Sequence, residues 1–380
     1  MGEKPLTFAD LRPVQEALAA HLVAAGYRRC EPQVLQPAPV FFDSGEDIRS
    51  RLYLTGDSSG AEYCLRPEYT IPVCRDYLAS AEVGLPASFS SCGPVFRFRP
   101  GFPSEFIQAG LESFGRPDRE AADAEILTLA LEAGAAAGQH GLVVRFGDAG
   151  LFLRLLETLD LSPQWRRRII RGQVQGKSLH SIFNTNSTGS GSDHSGVLAA
   201  LEGVDKQGAR ALVEDLLSIA GISAVGGRTP AEIAERFLEQ AALKTGEGFP
   251  AEKRSIIERF LAIEGDSDKA SADLRKLAAE AHLDLAVHLD SFDARLGFIA
   301  ARGMEVSDLL FATRFARNLD YYTGFVFEAH DKARPEEKPI IGGGRYDGLM
   351  KSLGAAEDIA AVGAAIWVER LRMDDSGCAI

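Results

Sequence analysis

Apolar and polar positions change their spacing along the chain, and the changes mark its elements. Leu11, Val14, Leu18 and Leu22, led in by Leu6 and Phe8, form one stripe and predict an amphipathic helix over residues 6–25, with Thr7 or Asp10 as its cap. After Gly26, Arg28 to Leu35 reads as a strand that stops before Pro37 and Pro39, and Pro32 within it marks an edge or interface position. Leu52–Leu54 and Tyr63–Leu65 flank Gly56-Asp-Ser-Ser-Gly60 and predict a hairpin, with a helix from Ile71 to Leu78 beyond it. Ser91–Arg99 and Phe106–Phe114 are strand-like and are separated by a Pro/Gly bend. In the second of them Gln108, Gly110, Glu112 and Phe114 alternate to one face.

Helix (Ala121–Gly138), strand (Gly141–Arg145) and helix (Leu151–Leu159) periods follow. From Ser162 to His282 the pattern is mainly helical, over 164–170, 209–219, 230–243, 252–263 and 269–281, broken by the low-complexity loop Phe183 to Ser192. Mixed character returns after Leu283 with a helix over Phe292–Arg302. Asp308–Phe315 and Phe325–Phe327 then predict two strands of one sheet joined through a polar bend, Asn318–Gly324. Pro339 to Gly348 carries three consecutive glycines and predicts a strand-to-helix turn, and Ala360 to Arg370 enters a helix. The expected architecture is α+β, with α/β elements mixed: a core of residues 1–155 and 283–380 interrupted by a mainly helical insertion, 156–282.

Composition narrows the class. A chain of 380 residues can bury a large core and is expected to hold two domains. Its net charge of −13 argues against a surface that tracks nucleic-acid phosphates, and Trp165-Arg-Arg-Arg168 reads as a solvated helix face. No apolar run approaches the ~20 residues of a membrane span. The five cysteines form no CxxC pair and no metal-ligand spacing with the histidines, so reduced thiols, a cytoplasmic setting and no metal site are expected.

Four places carry candidate chemistry. Phe315 to Glu328 sets a cation, a carboxylate and two phenols at the mouth of an apolar strand, where Arg317 can meet an anionic group bidentately. An Arg317–Asp320 surface pair beside two interfacial tyrosines is the structural alternative. Glu68 and Thr70 stand together where a strand passes into a helix, suited either to hold an amino group or to cap the helix. Gln108 and Glu112 make a polar floor with room above Gly110, and a buried Glu112 calls for solvation or for a ligand. Arg345 and Asp347 open the helix after the triple glycine, a pattern that is neither Walker nor Rossmann.

Taken in order, these blocks resemble the catalytic core of histidyl-tRNA synthetase, a class II synthetase fold built on an antiparallel sheet flanked by helices. Arg66-Pro-Glu-Tyr-Thr70 is similar to its amino-group motif, and Gly93-Pro-Val-Phe-Arg-Phe-Arg99 through Glu112 to its motif 2. Arg317-Asn-Leu-Asp-Tyr-Tyr322 and Gly342-Gly-Gly-Arg-Tyr-Asp347 are similar to its two histidine signatures, and Gly363 to Arg370 to motif 3. The resemblance implies that Glu68, Thr70 and Gln108 hold the α-amino group of histidine. It assigns the imidazole to Glu112 and Tyr322 with Tyr321 nearby, and the carboxylate to Arg317. Arg97, Arg345 and Arg370 are the residual anion-binding positions.

The departures from that pattern change the function it implies. Ten residues follow Arg370, where the synthetase continues into an anticodon-binding domain. The motif 2 loop, Pro100 to Ile107, carries no Lys or Arg, Phe98 stands near the lost ATP-facing acid, and Trp367 replaces a small glycine against the adenine. A histidine pocket without tRNA or ATP machinery resembles the regulatory subunits of ATP phosphoribosyltransferase. That resemblance implies a chain with no catalysis and no cofactor of its own. It would dimerise, assemble with a short-form catalytic subunit that transfers phosphoribosyl to ATP, and bind L-histidine as feedback inhibitor. A truncated synthetase forming histidyl-adenylate is the second reading, and a nucleic-acid-binding pseudo-synthetase the third.

Overall fold

The computed structural model describes residues 10–42, 46–183, 249–315 and 322–371. The N-terminal stripe folds as α1 (Arg12–Ala24), which buries Val14, Leu18 and Leu22. Its end is a Schellman cap: Tyr27 N–H donates to the Leu22 carbonyl and Gly26 N–H to that of Val23, with Gly26 at φ 92°. Leu6, Thr7 and Phe8 lie outside the described residues. The single strand expected over Arg28–Leu35 is two, because the chain changes sheets at Pro32, which has no N–H for a ladder. β1 (Arg28–Arg29) runs parallel to β5 (Ala87–Phe96), whereas β2 (Leu35–Pro37) pairs with β4 (Glu62–Leu65). The Pro32 carbonyl accepts from Arg66 Nη1 at 2.5 Å, which holds the crossing in place. Short helices α2 (Pro39–Phe42) and α3 (Glu46–Arg49) follow, and the predicted hairpin forms from β3 (Leu54–Gly56) and β4, with Leu54 opposite Cys64.

Next come α4 (Thr70–Leu78), β5, β6 (Glu105–Phe114), α5 (Arg119–Ala136), β7 (Leu142–Asp148) and α6 (Ala149–Thr158). The chain divides into two compact units, one of residues 1–158 with 259–380 and one of residues 159–258. The second contributes α7 (Pro163–Val174), α8 (Leu179–Phe183) and most of α9 (Ala251–Leu261) to the described residues. Within it, Phe249 meets Trp165 edge-on at 4.9 Å and stacks on Phe183 at 4.5 Å. The periods expected over 209–219 and 230–243, and the loop after Phe183, lie outside the described residues. The helical insertion expected over 156–282 is divided in this structure, since β8 (Glu264–Gly265) pairs with β9 (Leu310–Ala312) of the first unit. The remaining elements are α10 (Ser267–Glu280), α11 (Ala286–Ala301), β10 (Phe325–Asp331), β11 (Ile341–Arg345), α12 (Asp347–Ser352) and β12 (Ala361–Trp367). The helix expected at Ala360–Arg370 is a strand for most of its length. Its small and branched residues fill a slot between β6 and β11, and helical geometry is confined to one 3-10 turn, Val368–Arg370.

Among the described residues, the main sheet has nine strands in the order β1-β5-β6-β12-β11-β10-β7-β9-β8, antiparallel except at β1/β5 and β7/β9. β9 and β10 share this sheet as expected, but β7 lies between them. Register separates the two faces. The row Leu111, Ala364, Gly343, Phe327, Phe146 and Phe311 turns to one side. There Phe292 of α11 stacks on Phe146 at 6.1 Å and meets Phe311 edge-on at 4.9 Å, while α5 covers β11 and β12. Each such ring stabilises by about 1.5–3 kcal/mol over an exposed one. The other side carries the row Ser91, Gly110, Ala365, Gly342 and Glu328, beside Glu112, Gly363 and Gly344, so the middle of this face is small or polar.

A buried ion network ties the covering helices to the sheet. Asp123 of α5 is fully buried. It accepts from Arg295 Nε of α11 at 2.8 Å and from Arg345 Nε of β11 at 2.9 Å. Arg295 reaches Asp148 at 2.8 Å, and Arg345 reaches Asp347 at 3.0 Å. Removing one member of such a network leaves an uncompensated buried charge. Asp123→Ala is therefore expected to lower the unfolding free energy by about 3–5 kcal/mol in urea titration. Lys351→Ala, which breaks a pair whose side chains are 76% and 83% exposed, should change it by under about 1 kcal/mol.

Candidate functional site

The site grows from the front of β6. Glu112 points over β12 because its cross-strand neighbour is Gly363, where a Cβ would lie 1.7 Å from Glu112 Oε2. Gly344 follows on β11, and a Cβ there would lie 2.9 Å from Tyr322 Cδ1. Two glycines paired on neighbouring strands, Gly363 of β12 and Gly344 of β11, thus leave room for a carboxyl and a phenol on one face. Glu112 is only 2% exposed, so the solvated alternative does not hold. Two hydroxyl groups partner it instead: Thr70 Oγ1 donates to Oε1 at 2.7 Å, and Tyr346 OH donates to Oε2. Burial pushes the Glu112 carboxyl up to about 8, against the pull of the Tyr346 and Thr70 hydrogen bonds and with help from the nearby Glu68 charge.

Of the two roles open to it in sequence, Glu68 takes the helix cap in this structure. Its carboxylate accepts the N–H groups of Thr70 at 2.6 Å and Ile71 at 2.9 Å, capping α4. Burial raises its pKa, and the backbone bonds and the Arg97 charge oppose that rise. Each carboxylate oxygen keeps a second lone pair for a ligand. Gln108, opposite Gly93 and Trp367, is 2% exposed. Glu68, Thr70, Gln108, Glu112 and Tyr322 are thus brought to one face. Arg317 and Tyr321 lie outside the described residues.

The three arginines assigned to anions differ. Arg345 is committed elsewhere: it is 5% exposed on the back of β11, bound to Asp123, Asp347 and the Arg119 carbonyl. Arg97 stays beside the site, with Nε donating to the Pro67 carbonyl at 2.6 Å and its charge acting on Glu68. Arg370 donates to the Pro339 carbonyl and lies over the Trp367 ring at 4.6 Å. Trp367 itself is 8% exposed in a cluster with Tyr69, Val95 and Phe106. Tyr346 is the residue that the sequence reading passed over, between the singled-out Arg345 and Asp347. Strand alternation would have found it, since Gly342, Gly344 and Tyr346 fall in one phase.

A buried cluster of acids and hydroxyls on one face of such a sheet is the arrangement of a class II synthetase-like core. Comparison with known proteins agrees. Residues 4–225 and 206–371 match the family profile described as Histidyl-tRNA synthetase. ATP phosphoribosyltransferase regulatory subunits from Brucella ovis and Brucella suis are each 39% identical over 366 residues, 95% of this chain and 96% of theirs. Two solved structures share the fold at 18% identity. An ATP phosphoribosyltransferase regulatory subunit/histidyl-tRNA synthetase from Bacillus halodurans has a TM-score of 0.68, over 97% of this chain and 80% of the other. Histidyl-tRNA synthetase from a Nostoc species has a TM-score of 0.64, over 98% and 72%. The chain belongs to the histidyl-tRNA synthetase family and, within it, to the ATP phosphoribosyltransferase regulatory subunits.

Gly363→Ala is expected to displace the Glu112 carboxyl and destabilise the protein by about 1–3 kcal/mol in chemical denaturation. Gly297→Ala, in α11 with nothing within 4 Å of its Cβ, should instead stabilise by up to about 1 kcal/mol.

Proposed function

We propose that this chain is the non-catalytic regulatory partner of an ATP phosphoribosyltransferase: it assembles with a short-form catalytic subunit and binds L-histidine, the pathway product, as feedback inhibitor. The observation that carries the reading is the pairing of a retained carboxyl pocket with Trp367 at the end of β12. Glu112, Thr70, Gln108 and Tyr322 offer a ligand hydrogen-bonding groups of both kinds, which matches an amino group and an imidazole with one donor and one acceptor. Glu68 adds a carboxylate at the ammonium end. Trp367 packs with Tyr69, Val95 and Phe106 where the family holds adenine, and Arg345 is withdrawn into the ion network. Both features weigh against adenylation. The names of the Brucella relatives support a catalytic partner. Feedback then needs histidine affinity to differ between active and inactive assemblies, a coupling of about 1–3 kcal/mol.

Self-association is part of the reading. Leu35 and Leu54 on the three-stranded sheet are 45% and 57% exposed, and Phe98 and Phe102 on the adjoining 97–104 hairpin are 51% and 62% exposed. Such an apolar strip supports burial against a second copy. A cytoplasmic setting suits the four unpaired cysteines among the described residues, Cys30, Cys64, Cys74 and Cys92. No described helix is long and apolar enough to cross a membrane.

Calorimetric titration with histidine and then ATP tests the assignment. Histidine binding without ATP binding is expected, together with no histidine-dependent ATP/pyrophosphate exchange. Robust exchange by the isolated chain would sink the regulatory reading in favour of adenylation. Glu112→Gln should weaken histidine binding roughly 10- to 100-fold near neutral pH, the cost of leaving a buried hydrogen-bonding group without its partner. It should blunt inhibition of the holoenzyme while leaving assembly intact by size-exclusion chromatography. Full histidine inhibition of that variant would remove Glu112 from the imidazole contact.

A further inference from the structure

The Glu112 carboxyl is held at both oxygens by hydroxyl groups, Thr70 Oγ1 at 2.7 Å on Oε1 and Tyr346 OH on Oε2. A hydroxyl can donate or accept by rotating about its C–O bond. The triad therefore keeps its hydrogen bonds in either protonation state: an ionised carboxylate accepts from both hydroxyls, and a protonated carboxyl donates to one of them. Few buried acids have this freedom, since a backbone N–H or a guanidinium can only donate.

Titratable groups face Glu112 from several surrounding elements, Glu68 among them with its carboxyl also raised by burial. Cys74 on α4 is raised well above the ordinary thiol range by burial, and burial pushes Cys30, just after β1, up to about 12. Glu68, ahead of α4, is held by two backbone N–H groups and acts on Glu112 as a like charge. Tyr322, ahead of β10, and Tyr346, between β11 and α12, are phenols. Burial carries the Glu112 carboxyl itself to about 8.

We propose that the Thr70–Glu112–Tyr346 triad takes the ring of its ligand with one proton shared between the Glu112 carboxyl and a ring nitrogen, so that ligand affinity is coupled to pH and Tyr346 is a positioning residue for that contact. The inference rests on the histidine reading above. No covalent bond forms, and the complex holds one proton in total between the two groups. The sign of the coupling follows. Between about 6.5, the ordinary imidazole value, and about 8, the free pocket carries that proton on Glu112 and the free ring is neutral, so binding moves no proton and affinity is level. Above about 8 the free pocket is ionised, binding must take up a proton, and affinity falls about tenfold per pH unit. Below about 6.5 ring and carboxyl both carry protons, one must leave, and affinity falls again.

The test is calorimetric titration of the full chain with histidine from pH 6 to 9.5, in buffers of different ionisation enthalpy, beside Glu112→Gln. The glutamine amide stands in for a permanently neutral carboxyl. The ligand's amino group titrates equally with both proteins, so the ratio of their dissociation constants isolates Glu112. The wild-type constant is expected to rise about tenfold per pH unit above about 8 relative to the variant, with one proton taken up per site. Tyr346→Phe removes a hydrogen bond that favours the ionised form, and should move the upper break to higher pH by about one unit. Thr70→Ala should move it in the same direction and replaces Tyr346→Phe if that protein does not fold. A ratio that stays constant across the range while histidine still binds overturns the proton-sharing triad and leaves the histidine reading standing. Absence of histidine binding to both proteins at every pH overturns the two together.

Discussion

Burial of the Glu112 carboxyl, on a strand in the middle of the nine-stranded sheet, is the constraint that its neighbours answer. An ionised group taken out of water costs several kcal/mol unless it is paired or neutralised. The chain meets that cost with side chains from three distant segments. Gly363 leaves the volume, Thr70 at the start of α4 supplies one hydroxyl, and Tyr346 beyond β11 supplies the other. Glu68 then turns the first N–H groups of α4 to its own carboxylate, so the helix N-terminus steadies one acid beside another. No cation sits on Glu112 among the described residues, which separates this carboxyl from the paired acids on the reverse of the sheet.

That reverse side shows what a purely structural acid looks like in the same molecule. Asp123 is as deeply buried as Glu112, yet two guanidinium groups neutralise it. Arg345 and Tyr346 are consecutive residues pointing to opposite sides of β11. The strand that presents the Tyr346 hydroxyl to the pocket is therefore anchored through Arg345 to α5 and, through Asp123 and Arg295, to α11 and β7. The ion network thus holds in place the strand that carries Tyr346.

Much of this was legible along the chain. The alternation in Phe106–Phe114 placed Gln108 and Glu112 on one face, and the match of ordered motifs assigned the fold before any strand was paired. What was not legible depended on register. Arg345 looked like a ligand-facing cation because its sequence neighbours are glycines, but the pleat turns it toward α5, and only the pairing of Gly344 with Gly363 decides which side is which. Tyr346 was hidden for the same reason, one residue out of phase with the more conspicuous arginine. Ala360–Arg370 suggested a helix through its alanines, and tertiary pairing on both edges overrode that propensity. The break at Pro32 needed knowledge of a second, smaller sheet that no local pattern announces.

The end of β12 bears most directly on what the pocket can do. Catalysis requires interactions that strengthen in a transition state, and for adenylation those fall on phosphate and adenine, beyond the amino acid itself. The indole of Trp367 packs on Tyr69 and Phe106 and is capped by the Arg370 guanidinium, so the aromatic surface at that end of the sheet is covered by the protein's own side chains. On the proposed reading, the half of the face assigned to a small amino acid keeps its carboxyl and its hydroxyls. On that reading, binding free energy has one outlet, a shift in the populations of the assembly the chain joins.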